Sequence, residues 1–314
     1  MTSIPKVTII GAGNVGATAA QRIIDRDLAD VVLLDRKEDF AKGKALDIGQ
    51  ASALELRNRT IIGTGSYEDT KESTIVVITA GLPRKPGQSR DDLLKANGDI
   101  VSEVTEKVVQ YSPNCILIIV SNPVDVMTHL AWIKSKLPKE KVMGMAGVLD
   151  SARMKYFIAK ALGVSPDKVE TMVLGGHGDQ MVPIPRLSTV SGEPVTKLLT
   201  PEKILAICER TRKGGGEIVD LLGTSSYYGA GSAITNMVEA ILQDKDKEAI
   251  PVAAHLDGQY GLKDVFVGIP VNLGKDGVEE VIELQLAPEE LAALKASAEL
   301  VKQNVGKLTE LALV

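Results

Sequence analysis

The sequence predicts an α/β protein: an N-terminal doubly wound parallel sheet followed by a C-terminal α+β domain containing antiparallel strands. Three features carry that expectation. A β-branched run, Val7-Thr8-Ile9-Ile10, breaks into Gly11-Ala12-Gly13-Asn14-Val15-Gly16 and then into helix-like sequence. Apolar runs alternate with helix-like segments from there to about residue 146, the grammar of parallel strands joined by crossover helices. Beyond residue 147 the pattern changes, and strand-like runs are separated by the turn signals Asp257-Gly258 and Lys275-Asp276-Gly277.

The first strand, turn and helix set the functional expectation. Gly11 lets the chain turn, Gly13 lets backbone approach a pyrophosphate, and Gly16 lets the helix pack on the strand. A Gly-x-Gly-x-x-Gly run alone is weak, since a glycine turn can bind nothing. Here Asp30-Val31-Val32-Leu33-Leu34-Asp35 reads as a second strand ending in a carboxylate nineteen residues beyond Gly16, the spacing of an acceptor for a ribose 2′-hydroxyl. A carboxylate at Asp35 repels the 2′-phosphate of NADP, so NAD is favoured, with neighbouring Arg36 tempering the preference.

Continuing along the chain, residues 40–56 read as a helix, 60–63 as a short strand and 74–79 as a nearly continuous apolar strand. A helix over 93–110, a strand over 115–120, a helix over 124–136 and a strand over 142–146 complete the first part. The second part opens with a helix over 151–162 and extended segments over 170–174 and 181–189. Thr200-Pro201-Glu202 starts a helix that runs towards Leu222 through Gly214-Gly215-Gly216, a triplet for which the sequence offers no reason. Runs at 252–256, 265–271 and 278–284 make an antiparallel meander. Pro288 then opens a terminal helix whose Leu291, Leu294, Val301, Val305, Leu308 and Leu311 form one packed face.

At 314 residues and 44% hydrophobic the chain suits two cores, here residues 1–146 as a dinucleotide-binding domain and 147–314 as a substrate and catalytic domain. The net charge is −5, with no basic cluster interleaved with aromatics, which argues against a nucleic-acid partner. Cys115 and Cys208 lack both CxxC spacing and a nearby His, so neither a disulfide scaffold nor a zinc site is expected. The first strand begins within six residues, leaving no room for a signal peptide, and no apolar run approaches the ~20 residues of a membrane span. A cytoplasmic protein is the expectation.

Four stretches can carry chemistry. Residues 81–90 follow a buried strand at the carboxyl edge of the sheet; with Gly/Pro punctuation and the basic Arg84, Lys85 and Arg90 they read as a mobile lid, or equally as a solvated basic loop. Ser121-Asn122-Pro123 ends the next strand at the same edge, where Asn122 serves either as a hydrogen-bonding group or as simple helix entry. Asp150 and Arg153 open the next helix and, taken alone, read as an N-cap and an exposed first-turn residue. Gly175-Gly176-His177-Gly178-Asp179 sets one of the three histidines among three glycines after an apolar strand. His129 and His255 fall inside a helix and a strand and read as structural.

Together these stretches, in this order and spacing, resemble the lactate/malate dehydrogenase superfamily across essentially the whole chain. The glycine loop resembles the lactate-dehydrogenase-like branch rather than the mitochondrial type. The resemblance implies hydride exchange between NAD and a 2-hydroxy acid, with His177 as proton acceptor and donor, Asp150 orienting it, Arg153 gripping the carboxylate beside the reacting carbon and Arg90 polarising the carbonyl. Asn122 is expected to touch both substrate and nicotinamide, while Asn14, Val15, Asn97 and Val120 join Gly11, Gly13, Gly16 and Asp35 at the cofactor. An Arg at the position of Arg84 resembles enzymes acting on malate, where lactate enzymes carry Gln. Chemistry agrees: malate has two carboxylates, each suited to a guanidinium fork, its hydroxyl proton needs a base, and no metal is required. The family resemblance also implies a homo-oligomer, a tetramer more often than a dimer. Ser225-Ser226-Tyr227-Tyr228-Gly229-Ala230-Gly231 is expected to wall the pocket near the nicotinamide, its Gly-Ala-Gly tail departing from the usual pattern.

The leading alternative substrate is lactate or another 2-hydroxy acid, and the leading alternative class is a non-catalytic NAD-binding sensor, which the first half alone permits. Tyr156 and Lys160 match the Tyr-x-x-x-Lys pair of short-chain dehydrogenases, but that spacing is commonplace on a helix and the glycine loop differs.

Overall fold

The computed structural model describes residues 4–82, 90–243 and 249–314. Its first part contains β1 (Lys6–Ile10), α1 (Asn14–Asp25), β2 (Asp30–Leu34), α2 (Glu38–Leu54), β3 (Ile61–Thr64), β4 (Ile75–Ile78), α3 (Arg90–Tyr111), β5 (Ile116–Ile119), α4 (Val124–Ser135) and β6 (Val142–Gly144). The second contains α5 (Gly147–Leu162), β7 (Val169–Glu170), β8 (Val173–Leu174), β9 (Val182–Pro183), β10 (Thr189–Val190), β11 (Glu193–Pro194), α6 (Val195–Leu198), α7 (Pro201–Leu222), α8 (Tyr228–Gln243), β12 (Ile250–Asp257), β13 (Lys263–Gly274), β14 (Gly277–Val281) and α9 (Pro288–Glu310).

β3, β2, β1, β4, β5 and β6 lie side by side and all run parallel, as the alternation of strand and helix predicts. Helices cover both faces, so Ile9, Leu33, Val77 and Ile118 are fully buried and these strands read as unbroken apolar runs. The antiparallel meander β12–β13–β14 is also present, but it does not form a sheet of its own. β12 pairs antiparallel with β6 at Ala253 and Gly144, giving one nine-stranded mixed sheet. α9 lays Leu294 and Val301 into the same core, as its spacing anticipates.

Two elements differ from their sequence expectation. α5 begins at Gly147, four residues before the predicted start, so Asp150 is inside the first turn and is not the cap. A Cβ at Gly147 would crowd the Val173 carbonyl at 2.7 Å and the Pro251 side chain at 2.8 Å, so glycine is what lets the helix begin against β8 and β12. The extended run at 181–189 is broken into β9, a 3-10 turn over Pro185–Leu187 and β10, because Pro183 and Pro185 have no N–H to donate to a ladder. No helix among the described residues is long and apolar enough to cross a membrane.

His129 and His255 are structural, as expected. They pack with Trp132 and Phe266 where α4 covers β12 and β13; the His129–Trp132 ring centroids lie 5.5 Å apart and the His255–Phe266 centroids 5.2 Å apart. Nδ1 of His129 and both ring nitrogens of His255 are buried without a hydrogen-bond partner among the described residues. Burial, and then the proximity of His255, pulls His129 down to about 4; burial and then Lys139 pull His255 down as well. A histidine lowered by folding contributes stability that is full above its unfolded value near 6.5 and is lost as pH falls towards its folded value. For His129 the limit is about 3 kcal/mol. Thermal melting measured from pH 7 to pH 4 should therefore fall less steeply in His129→Gln than in the parent chain; parallel curves would assign the acid sensitivity elsewhere.

Candidate active site

The carboxyl ends of β1, β2, β4 and β5 gather the residues expected to hold a dinucleotide. Gly11 has φ +109°, and a Cβ there would lie 2.6 Å from Thr79 Oγ1, so the turn admits only glycine. Gly16 is equally constrained, since its Cβ would run into the Gly11 carbonyl. Gly13 is different: a Cβ there would meet no protein atom within 4 Å. Nothing in the chain itself requires a glycine at that position, so the freedom fits close approach by a group from outside. Gly13 is also the N-cap of α1, makes no side-chain cap bond, and precedes a first turn without acidic residues, which leaves an N-terminus suited to a pyrophosphate. Asn14 and Val15 form that first turn.

Asp35 stands at the end of β2, where its Oδ2 accepts from the Ala12 N–H at 2.9 Å and its Oδ1 from the Lys37 N–H at 3.0 Å. The carboxylate is thereby fixed against the glycine turn and keeps lone pairs for a ribose hydroxyl. The donor set fits NAD.

Asn97, on α3, is 1% exposed and its amide is already engaged. Its Oδ1 accepts from the Leu82 N–H at 2.7 Å and its Nδ2 donates to the Asn122 carbonyl at 2.7 Å, so it ties together the chain after β4 and the chain after β5. Asn122 itself remains exposed at that edge, behind the buried Val120. Arg84 and most of the expected lid lie outside the described residues, as does the side chain of Arg90.

α5 and the loop after β8 bring Asp150, Arg153 and His177 together across 27 residues of sequence. Asp150 Oδ2 lies 2.8 Å from His177 Nδ1, and Arg153 Nη1 donates to Asp150 Oδ1 at 3.0 Å. Three residues apart on a helix, Asp150 and Arg153 share a face. Their side chains are 2% and 13% exposed, and that of His177 is 14% exposed, so the bland readings of an N-cap and an exposed first-turn residue do not hold. Burial works against charge on His177, but the carboxylate of Asp150 and its hydrogen bond outweigh it and raise the imidazole above its ordinary value. An imidazole so held keeps Nδ1 as donor and leaves Nε2 free to exchange a proton.

The histidine loop is itself fastened at three points. Gly175 exchanges backbone hydrogen bonds with Gly268 of β13, at 2.8 and 3.1 Å, an approach that any side chain at Gly268 would obstruct. Ser297 Oγ on α9 accepts from the Gly176 N–H at 2.9 Å, and Asp125 Oδ2 on α4 accepts from the His177 N–H at 2.8 Å. No sequence motif announces Ser297 or Asp125, because each acts across more than 50 residues of sequence.

Of the glycine triplet of α7, Gly214 has a physical account. A Cβ there would lie a tight 3.3 Å from Arg153 Cδ, whereas one at Gly215 would make an ordinary 3.5 Å contact with Nη2 and one at Gly216 would meet none of the described atoms within 4 Å. The Gly-Ala-Gly tail likewise serves packing: a Cβ at Gly231 would lie 2.6 Å from Thr18 Cγ2, so glycine lets α8 lie against α1. Tyr156 of the short-chain-dehydrogenase reading is 54% exposed on α5 and its ring packs with Phe157.

Comparison with known proteins covers both halves of the chain. Residues 5–144 match the family model of the lactate/malate dehydrogenase NAD binding domain, and residues 147–312 match that of the lactate/malate dehydrogenase alpha/beta C-terminal domain. Malate dehydrogenase of Synechocystis sp. is 54% identical over 96% of this chain and 93% of its own length. The solved malate dehydrogenase of Salinibacter ruber superposes with a TM-score of 0.94 at 49% identity, covering 98% of each chain. A lactate dehydrogenase from Cryptosporidium parvum, solved with lactic acid and NAD, also reaches 0.94, at 39% identity over 98% of this chain and 99% of its own.

Proposed function

The chain belongs to the lactate/malate dehydrogenase family, and from that premise we propose that it is an NAD-dependent malate dehydrogenase interconverting (S)-malate and oxaloacetate. The observation that carries the catalytic reading is the 2.8 Å pairing of His177 with Asp150, buried beside Arg153.

In the oxidative direction His177 Nε2 takes the proton of the C2 hydroxyl, and the Asp150 carboxylate stabilises the imidazolium that results. Bound NAD supplies the hydride acceptor. Arg153 holds the carboxylate next to C2, and because it also touches Asp150, gripping the substrate and orienting the base depend on one carboxyl group. Arg90 polarises the C2 oxygen and Arg84 meets the distal carboxylate. Asn122 hydrogen-bonds substrate and nicotinamide, Val120 packs beside them, and Asn97 acts by holding the loop ends in place. Gly11, Gly13, Asn14, Val15, Gly16 and Asp35 bind the dinucleotide. Cofactor binding thus falls to residues 1–146 and the base and carboxylate grip to residues 147–314. Both cysteines are free and buried, in keeping with a cytoplasmic enzyme.

We further propose a homo-oligomer, a tetramer over a dimer on the family resemblance, and exposed apolar side chains support the association itself. Leu46 and Leu54 on α2 are 65% and 86% exposed, and Leu205 and Leu221 on α7 are 63% and 77% exposed. Apolar side chains left open to solvent on these two helices are available for contact with a second copy. Light scattering should return a multiple of the 33.4 kDa chain mass, nearest four; a monomer at micromolar concentration would remove the assembly from the reading.

Mixing protein, NAD and L-malate should generate reduced nicotinamide, and His177→Ala should lower kcat/KM by about 10²- to 10⁴-fold while NADH binding, followed by fluorescence, stays close to normal. A folded chain that binds NADH and leaves malate unchanged would favour the sensor instead.

The choice of malate rests on Arg84. Arg84→Gln should cost oxaloacetate about 2 to 5 kcal/mol, roughly 1.5 to 3.5 decades in kcat/KM, by leaving a carboxylate without its cation. Pyruvate should improve, since the unmatched charge is then on the parent enzyme. Equal losses for both substrates would reassign Arg84 to general positioning.

A further inference from the structure

Asp125 is a buried carboxyl group for which the catalytic scheme above has no use. It lies in the first turn of α4, directly after Ser121-Asn122-Pro123, and is 5% exposed. Its Oδ2 accepts the backbone N–H of His177 at 2.8 Å, while its Oδ1 is buried with no hydrogen-bond partner among the described residues. A neutral Asn or Ser could accept that N–H without bringing a charge into the interior. Burying a carboxylate with one oxygen unsatisfied is costly, so the charge needs a compensating interaction. Among the described residues, the cationic group whose charge acts on it is the imidazolium that His177 becomes on accepting a proton.

We infer that Asp125 is a positioning residue for His177, one carboxylate oxygen fixing the backbone from which the imidazole projects and the charge of the group favouring the protonated ring. The inference rests on the reading of His177 as the proton acceptor. It makes the base the partner of two carboxylates: Asp150 at ring Nδ1 and Asp125 beneath the main chain. The groups facing this pair are Asp150 and Arg153 from α5, the amide of Gln180 from the same loop and the hydroxyl of Ser297 from α9.

The titration behaviour agrees. Burial drives Asp125 up to about 6, with the His177 N–H and imidazole holding it down and Asp150 pushing it further up. At neutral pH it is therefore mostly ionised, and it also contributes to the raised value of His177. A carboxylate in a helix first turn has an alternative use, since it meets the positive end of the helix dipole. That use predicts lower thermal stability on removal and no change in the titration of His177.

Two measurements separate these outcomes. Asp125→Asn keeps an oxygen acceptor for the His177 N–H and removes the charge. The acid limb of malate oxidation and the alkaline limb of oxaloacetate reduction, both in kcat/KM, should move to lower pH together, by about one unit. Asp125→Ala should show the same shift together with lower plateaus in both directions, because the backbone anchor is lost as well. Limbs that stay in place in a folded Asp125→Asn enzyme would overturn the inference. Should the variant fail to fold, ¹³C NMR of the parent protein decides: the Asp125 carboxyl and the His177 ring carbon should each show an inflection at the other's midpoint. Independent titrations would overturn the inference. A parent protein without dehydrogenase activity would instead sink the functional reading, leaving the carboxyl–imidazole coupling still measurable.

Discussion

The site depends on a single narrow junction, the antiparallel pairing of β12 with β6 at Ala253 and Gly144. The pairing tolerates no bulk, because a Cβ at Gly144 would lie 2.5 Å from Thr128 Oγ1 and 3.0 Å from the Ala253 Cβ. Through it the parallel sheet and the meander become one rigid sheet. Asp150 leaves that sheet just after β6, and His177 is tied to it where Gly175 bonds Gly268 on β13. The 2.8 Å contact between them is thus framed by strand pairing together with the hydrogen bonds that Ser297 on α9 and Asp125 on α4 make to the histidine loop.

Electrostatics then fills that frame. Asp150, Arg153, His177 and Asp125 sit where few water molecules can screen them, so each charge acts strongly on the next. Asp150 is held on both oxygens, one by Arg153 and one by His177, which satisfies a carboxylate that would otherwise be expensive to bury. Glycine supplies the space. Gly214 lets α7 come close to the Arg153 side chain, where a Cβ would lie 3.3 Å from its Cδ.

What the sequence made legible is local. Gly11, Gly16 and the acid at Asp35 work within one strand, turn and strand, so their spacing alone discloses them, and the parallel order follows from unbroken apolar runs. His177 stands out because glycines flank it. The start of α5 is not legible because Asp150 looks like a cap, whereas the boundary is set by Gly147 meeting Val173 and Pro251, both distant in sequence. Joining of the meander to β6 was equally hidden: one residue pair leaves no periodic mark. Gly214, Gly231, Ser297 and Asp125 share that character. Each answers to groups far away in the sequence, and nothing in the residues around it encodes which groups those are.

The backbone by itself also leaves the substrate open, since enzymes for malate and for lactate share it to the same degree. In the roles proposed for them, His177, Asp150 and Arg153 address only the hydroxyl carbon and its adjacent carboxylate, features common to every 2-hydroxy acid. Discrimination must therefore come from what meets the third carbon's substituent, a carboxylate in one case and a methyl hydrogen in the other. Shape is a poor means of making that distinction: a methylene's worth of fit is worth about 1 to 3 kcal/mol. A charge is a far better one, because it penalises the wrong ligand as well as rewarding the right one, an unmatched buried ion costing several kcal/mol on either side. A cation that takes no part in the His177–Asp150 pairing can do this without disturbing that geometry. On the function proposed above, one framework thus serves two substrates, with the chemistry assigned to His177 and Asp150 and the choice of substrate to the side chain proposed to meet the distal group, that of residue 84.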